Sequence, residues 1–264
     1  MGGAIESHEI LGIKLTPTTI GQLLDLIAEN VARQSKCILA NQNLHGLYKY
    51  FTDELFHALH QQAYVHIDGT PVVWLAQLCG IRVGFQHRIA LLDYLVVVLA
   101  HAAKKGWRVF YVGGMPDVLE RGLENLRRAH PGVVLDGHHG YFDVRSDSPD
   151  NLALIRQINA FAPQVLMVGM GMGRQERWIL ANLDRLKVNA IWTSGASIEY
   201  FAGVAPIAPR WLGRVGLEWT YRLCGNPRRF AWRYLVEPWL VVCLVLRHQL
   251  RQRSVPRIGS RGGG

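Results

Sequence analysis

The chain has only four cysteines, Cys37, Cys79, Cys224 and Cys243, and no two of them form a Cys-x-x-Cys pair. That leaves no thiolate zinc site and no disulfide framework, and it fits a reducing compartment. There is no His-Glu-x-x-His and no Asp-x-Asp, so a zinc-peptidase signature and the metal grip that many nucleotide-sugar enzymes place on diphosphate are both missing. His138 and His139 are adjacent, and adjacent side chains rarely face one ion, so they read as loop. No metal and no other cofactor is expected. Long apolar runs are missing too: the longest, Pro238 to Leu246, has nine residues, against about 20 needed to cross a bilayer. The opening residues, MGGAIESHEILGIKL, have neither the basic lead-in nor the apolar core of a signal peptide. A cytosolic protein that lies on a membrane, without spanning it, fits these absences.

What is present describes a globular chain. Apolar residues make up 49% and charged residues 19% of 264, with a mean hydropathy of +0.07, which excludes both a disordered chain and a polytopic membrane protein. The formal net charge is +9, and its location is informative. Residues 1–205 are balanced. Residues 206–264 hold 11 arginines, no lysine and only Glu218 and Glu237 as acids, together with Trp211, Trp219, Trp232 and Trp239. A neutral body with an Arg/Trp-rich tail points to an anionic partner: a membrane surface, a nucleic acid or a phosphorylated substrate.

Along the body, short β-rich runs alternate with helical patterns. Helices are expected over Ile20–Ala32, Leu44–His60, Pro71–Cys79, Asp117–Ala129 and Gln175–Leu186. Strands are expected over Cys37–Ala40, Ala63–Ile67, Trp107–Val112, Gln164–Val168 and Lys187–Thr193. This alternation implies an α/β fold, a Rossmann-like parallel sheet with helices on both faces, whose ligands collect at the strands' carboxyl ends. Residues 1–205 form the α/β body in this reading. Residues 206–250 form an appended helical segment that associates with membrane, broken at Gly225-Asn226-Pro227, and residues 251–264 a disordered Gly/Arg-rich end.

Three features carry chemistry. Asp68-Gly69 follows a strand and precedes a helix; its carboxylate is placed for general-base work, or the pair is an ordinary turn. Gly113-Gly114 and Gly169–Gly173 sit where helix N-terminal amides could cradle phosphate, or they are plain strand–helix turns. Neither is a P-loop, because no Gly-Lys-Ser/Thr follows. The tail's Arg222, Arg228, Arg229 and Arg233 form an all-arginine set beside tryptophan, which favours fork-like phosphate recognition over a solvated basic face.

Several stretches occur together in order: Phe110–Gly114, Gly140-Tyr141-Phe142, Gly169-Met170-Gly171, Arg174-Gln175-Glu176-Arg177-Trp178, and Ala202-Gly203 with Ala208-Pro209-Arg210-Trp211. Gly216–Leu223, Pro227-Arg228-Arg229 and Arg233-Tyr234 follow. From about residue 8 to about 245 the chain resembles the WecG/TagA/CpsF glycosyltransferase family. The resemblance implies an inverting enzyme that takes a hexose from a UDP-sugar and passes it to a saccharide on polyprenyl diphosphate, at the cytoplasmic face of the membrane, in exopolysaccharide repeat-unit assembly. It implies Asp68 as the base. Donor binding falls to Asn41, Gly69, Arg88, Asp93, Gly113, Gly114, Gly171, Gln175, Glu176 and Glu199. Arg222, Arg229 and Arg233, with Trp219 and Trp232, are left for the acceptor diphosphate and the membrane.

The chain also departs from the family pattern. Leu39 stands where a threonine is usual, and Ala90 and Leu91 replace the Thr-Gly of an Arg-Val-Thr-Gly-x-Asp stretch. Gly173-Arg174 replaces Pro-Lys, and Ile198-Glu199 replaces Phe-Asp. Within the family these features look most like the xanthan-type β-1,4-glucosyltransferases, so glucose is the expected donor sugar and an N-acetylmannosamine-type donor the alternative. A basic nucleic-acid-binding protein is the alternative of a different class. The neutral body speaks against it, and no nucleic-acid partner is expected. Self-association is left open.

Overall fold

The computed structural model describes residues 5–209, 212–213 and 216–254. Its body is a six-stranded, fully parallel sheet. In chain order the elements are the hairpin β1 (His8–Ile10) and β2 (Ile13–Leu15), α1 (Ile20–Ala32), β3 (Cys37–Gln42), α2 (Leu44–Thr52), α3 (Glu54–Gln62), β4 (Tyr64–Ile67) and α4 (Thr70–Leu78). After these come α5 (Leu91–Lys105), β5 (Arg108–Gly113), α6 (Pro116–Ala129), β6 (Val134–His138), α7 (Pro149–Phe161), β7 (Val165–Gly169), α8 (Arg174–Asn182), β8 (Ala190–Thr193) and α9 (Ser197–Phe201). The strand order is β4-β3-β8-β7-β5-β6.

Alternation along the strands builds two cores. Ile38, Ala40, Phe110, Val112, Leu166, Val168 and Ile191 point to one face, against Phe56, Val72, Ile158 and Ile179 of the helices there. Leu39, Val109, Tyr111, Val165, Met167, Ala190 and Trp192 point to the other, against Leu23, Leu99, Leu123 and Ile198. A parallel sheet is stable only when both faces are covered, and here both are.

Local chemistry sets the element ends. Thr19 and Gln22 form a reciprocal capping box at the start of α1: the Thr19 hydroxyl accepts the Gln22 backbone N–H at 3.3 Å, and the Gln22 side-chain Oε1 accepts the Thr19 backbone N–H at 2.9 Å. The single helix expected over Leu44–His60 is two helices. Asp53 leaves helical geometry (φ −132°, ψ 108°), and its carboxylate accepts the Phe56 N–H at 3.2 Å, so the residue ends α2 and caps α3.

The C-terminal run is helical, with the expected break: α10 (Glu218–Gly225), α11 (Pro227–Ala231), a π-helical turn over Trp232–Val236, and α12 (Glu237–Ser254). It is not a detached appendage. Val241 of α12 is 5% exposed within the first core, Val245 packs on the same core, and the imidazole of His248 lies 5.6 Å from the Phe51 ring of α2. Glu237 is buried and its carboxylate meets His45 Nδ1 at 2.8 Å. Of the expected disordered end, 251–254 belong to α12, and 255–264 lie outside the described residues. Among the described residues no helix is long and apolar enough to cross a membrane.

Candidate active site

The carboxyl ends of β3, β4, β8, β7 and β5 come together along one edge of the sheet, and most of the singled-out residues lie there. Asn41 belongs to β3 itself, which runs two residues further than the apolar pattern indicated. Asp68 follows β4 directly, and its backbone N–H donates to the Gln42 carbonyl at 2.9 Å. The two side chains meet: the Asn41 amide donates to Asp68 Oδ2 at 3.3 Å. Asn43, in the gap between the strand expected to end at Ala40 and the helix expected to start at Leu44, donates to the same oxygen at 3.0 Å. The orientation of Asn43 is fixed because its Oδ1 caps α2, accepting the Gly46 N–H at 3.1 Å. Asp68 Oδ2 is thereby held by two amides, and Oδ1 takes neither bond. Gly69 is the N-cap of α4, and a Cβ there would press on Asn43 at 3.2 Å.

At the next strand ends, glycine backbones approach closely. Gly113 has φ 156°, and a side chain on it would collide with the Gly169 carbonyl. Gly114 lies beside it, its carbonyl accepting the Gly140 N–H at 2.9 Å. Gly171 also has positive φ, but no heavy atom lies within 4 Å of where its Cβ would be, so it borders open space. Glu199, in the first turn of α9, is half-buried, and its charge reaches the Tyr200 and Tyr111 phenols. Asp93 is half-buried in the first turn of α5.

Gln175 and Glu176 are turned inward, away from solvent. Gln175 is fully buried; its Oε1 accepts the Gly195 N–H at 3.2 Å and its Nε2 donates to Glu176 Oε1 at 2.7 Å. Glu176 Oε2 accepts the Gly173 N–H at 2.5 Å at the start of α8. Burial pushes the Glu176 carboxyl up to about 7, against the opposite pull of these hydrogen bonds. Both side chains tie the glycine loops together from below.

The tail supplies the cations. Arg222 of α10 and Arg233 of the π-helical turn are half-buried, and the charge of Asp68 reaches both. Burial works against the Arg222 charge, but Tyr200, Tyr234, Asp68 and Glu218 outweigh it and raise its pKa; Arg222 also lies 5.6 Å over the Tyr200 ring. Burial and then the repulsion of Arg222 lower Arg233, although Tyr234, Glu237 and Asp68 oppose them. Arg88 is turned to the tail, its guanidinium paired with Glu218 at 2.8 Å. Arg229 is in α11, and its side chain lies outside the described residues. Trp219 packs 6.0 Å from Tyr234 yet is itself exposed, and Trp232 is exposed further.

A glycosyl transferase family model, that of the WecG/TagA/CpsF family, matches residues 8–255, nearly the whole chain. The chain belongs to that family. Similar proteins include an N-acetylglucosaminyldiphosphoundecaprenol N-acetyl-beta-D-mannosaminyltransferase of Staphylococcus aureus (strain MW2), 28% identical over 227 residues, which are 84% of this chain and 86% of the relative. The protein of the same name from strain NCTC 8325 / PS 47 is 28% identical over 218 residues, covering 81% and 83%. As a WecG/TagA/CpsF member the chain is a glycosyltransferase. At position 39, where the family pattern has threonine, Leu39 is fully buried in the core. The hydroxyl that reaches Asn41 comes from the neighbouring strand, from Thr193.

Proposed function

We propose that this chain transfers an N-acetylmannosamine-type sugar, with inversion, from a UDP-sugar to N-acetylglucosamine carried on polyprenyl diphosphate. The observation that carries the reading is Asp68: a carboxylate held on one oxygen by two amides, at the carboxyl edge of a parallel sheet, in electrostatic range of two tail arginines. Glucose, the donor expected from the xanthan-type likeness, has no support among the relatives compared; both are named for N-acetylmannosamine.

The acceptor hydroxyl attacks the anomeric carbon from the face opposite UDP. As the new C–O bond forms, Asp68 Oδ1 takes the hydroxyl proton. The bond to the UDP oxygen breaks with its electron pair leaving on the diphosphate. That developing charge falls to the amides of the glycine loops and to arginine, with no metal. Arg222 and Arg233 form a pair of half-buried cations, and a bound diphosphate relieves their mutual repulsion. Their half-burial within range of Asp68, rather than on an outer basic face, supports this reading over nucleic-acid binding. The lipid acceptor brings the enzyme to the membrane surface, at the cytoplasmic face, as a peripheral protein.

The test is a donor screen with a short polyprenyl-diphosphate N-acetylglucosamine, read by the mass of the lipid product. UDP-N-acetylmannosamine should add an N-acetylhexosamine. Addition of a hexose from UDP-glucose alone would return the donor to glucose, and no product with any UDP-sugar would end the transferase reading.

A further inference from the structure

Thr193 is the last residue of β8, fully buried, and 152 positions from Asn41 in sequence. Its hydroxyl oxygen accepts the Asn41 backbone N–H at 3.2 Å. A threonine hydroxyl has one proton to give, and the acceptor in reach is Asn41 Oδ1 at 2.8 Å. An amide whose oxygen is claimed on one side presents its NH₂ on the other. On that other side lies Asp68 Oδ2, 3.3 Å away. The Thr193 carbonyl is held in turn: the buried Tyr94 hydroxyl donates to it at 3.1 Å, and the Tyr94 ring stacks on Trp192 at 4.3 Å and 7°.

We infer that Thr193 is a positioning residue: it sets the orientation of the Asn41 amide, so that Asn41 donates to Asp68 and does not turn a carbonyl oxygen against it. The consequence concerns which carboxylate oxygen is left to work. With Asn41 and Asn43 both donating to Oδ2, Oδ1 is the oxygen available for a proton. If Asn41 turned over, its Oδ1 would face the carboxylate, oxygen against oxygen, and Asp68 would rotate away from that repulsion. Asn43 cannot turn in the same way, because α2 holds its oxygen. Asn41 is thus the one of the two amides whose orientation depends on a side chain, and Thr193 supplies it.

The inference rests on the transferase reading for its kinetic part, so the experiment has two arms. In the first, full-length Thr193→Val, Thr193→Ala and Thr193→Ser are assayed with UDP-N-acetylmannosamine and the short lipid acceptor. Val and Ala should lower kcat by about 10–100-fold, the cost of losing one hydrogen bond to a charged group in the transition state. The donor KM should hold, and Ser should restore most of kcat. In the second arm, the protein labelled with ¹⁵N-asparagine is observed by NMR, with the Asn41 carboxamide signal identified by its loss in Asn41→Asp. That signal should move in Asp68→Asn, move similarly in Thr193→Ala or Thr193→Val, and stay in place in Thr193→Ser. An Asn41 amide signal unmoved by loss of the hydroxyl, or an unchanged kcat in folded Thr193→Ala, overturns the assignment. A wild-type protein that transfers no sugar while the amide responds as stated would count against the transferase reading alone.

Discussion

At the scale of single residues, the decisive question is what Asp68 does beyond ending a strand. A turn aspartate contributes backbone geometry, which asparagine reproduces; a base contributes an ionisable oxygen, which asparagine lacks. Asp68→Asn should therefore fold normally and keep donor affinity, while turnover falls by roughly 10²–10⁴-fold. Steady-state kinetics on lipid product, with a donor titration, separates the two roles, and near-normal turnover returns Asp68 to a turn. Asp68 and Gly69 were legible before the structure because local patterning put them at a strand end, and Asn41 came from the family resemblance. The partners that orient them were not. Asn43 fell between the expected strand and helix because its capping bond to Gly46 leaves no periodic trace, and Thr193 lies on a strand that only sheet order brings beside Asn41. Gln175 and Glu176 stand in the motif that marks the family, yet their side chains face inward, a direction that spacing alone does not encode.

At the scale of elements, sequence patterning succeeded where a pattern and its cap agree, as in α1, whose boundaries match with its Thr19–Gln22 box. It missed β6, where only Leu135 of five residues is buried, and the three-residue strands of the hairpin, too short to show a period. It also missed α5, whose Leu/Val-rich run fits helix or strand equally. The start of α8 carries a pH-dependent feature. The folded Glu176 carboxyl titrates at about 7, above its ordinary 4.5, so between these values the folded chain holds a proton that the unfolded chain releases. This contribution is complete below the unfolded value and is lost as pH rises through the folded one. His60 and His66 work oppositely: burial pushes each down to about 4, and their contribution is lost as pH falls from 6.5 toward 4. Comparing Glu176→Gln with wild type cancels the histidines. The variant's stability relative to wild type should improve by on the order of 1–3 kcal/mol between about pH 5 and about pH 8. Urea unfolding at both pH values measures it, and an unchanged difference would mean that Glu176 ionises as an ordinary carboxyl.

At the scale of the whole molecule, the question is how a site built on a neutral body would meet the lipid-borne acceptor proposed for it. The C-terminal helices face two ways. Inward, Glu237 and Val241 are buried against the body, Glu218 pairs with Arg88, and Arg222 and Arg233 lie in range of Asp68. Outward, Trp232, Leu235, Trp239, Val242 and Leu246 are all more than half exposed, and they recur at spacings of three and four. Such a stripe suits the interfacial region of a bilayer, and nearby arginines add attraction of about 1 kcal/mol each to anionic lipid. Deleting residues 210–264 should leave both sheet cores in place, so the body should fold and bind UDP-sugar. It should melt at lower temperature than the full chain, because Phe51 and the core around Val241 lose their cover. It should transfer nothing. Two double variants separate the faces. Arg222→Gln with Arg233→Gln should still sediment with anionic vesicles and lose transfer. Trp232→Ser with Trp239→Ser should lose sedimentation, yet keep transfer to a short, water-soluble acceptor. Both variants are measured for vesicle binding and for product. If the truncated body transfers sugar to the lipid acceptor as well as the full chain does, the tail takes no part in the site, and the charges it brings to Asp68 serve packing alone.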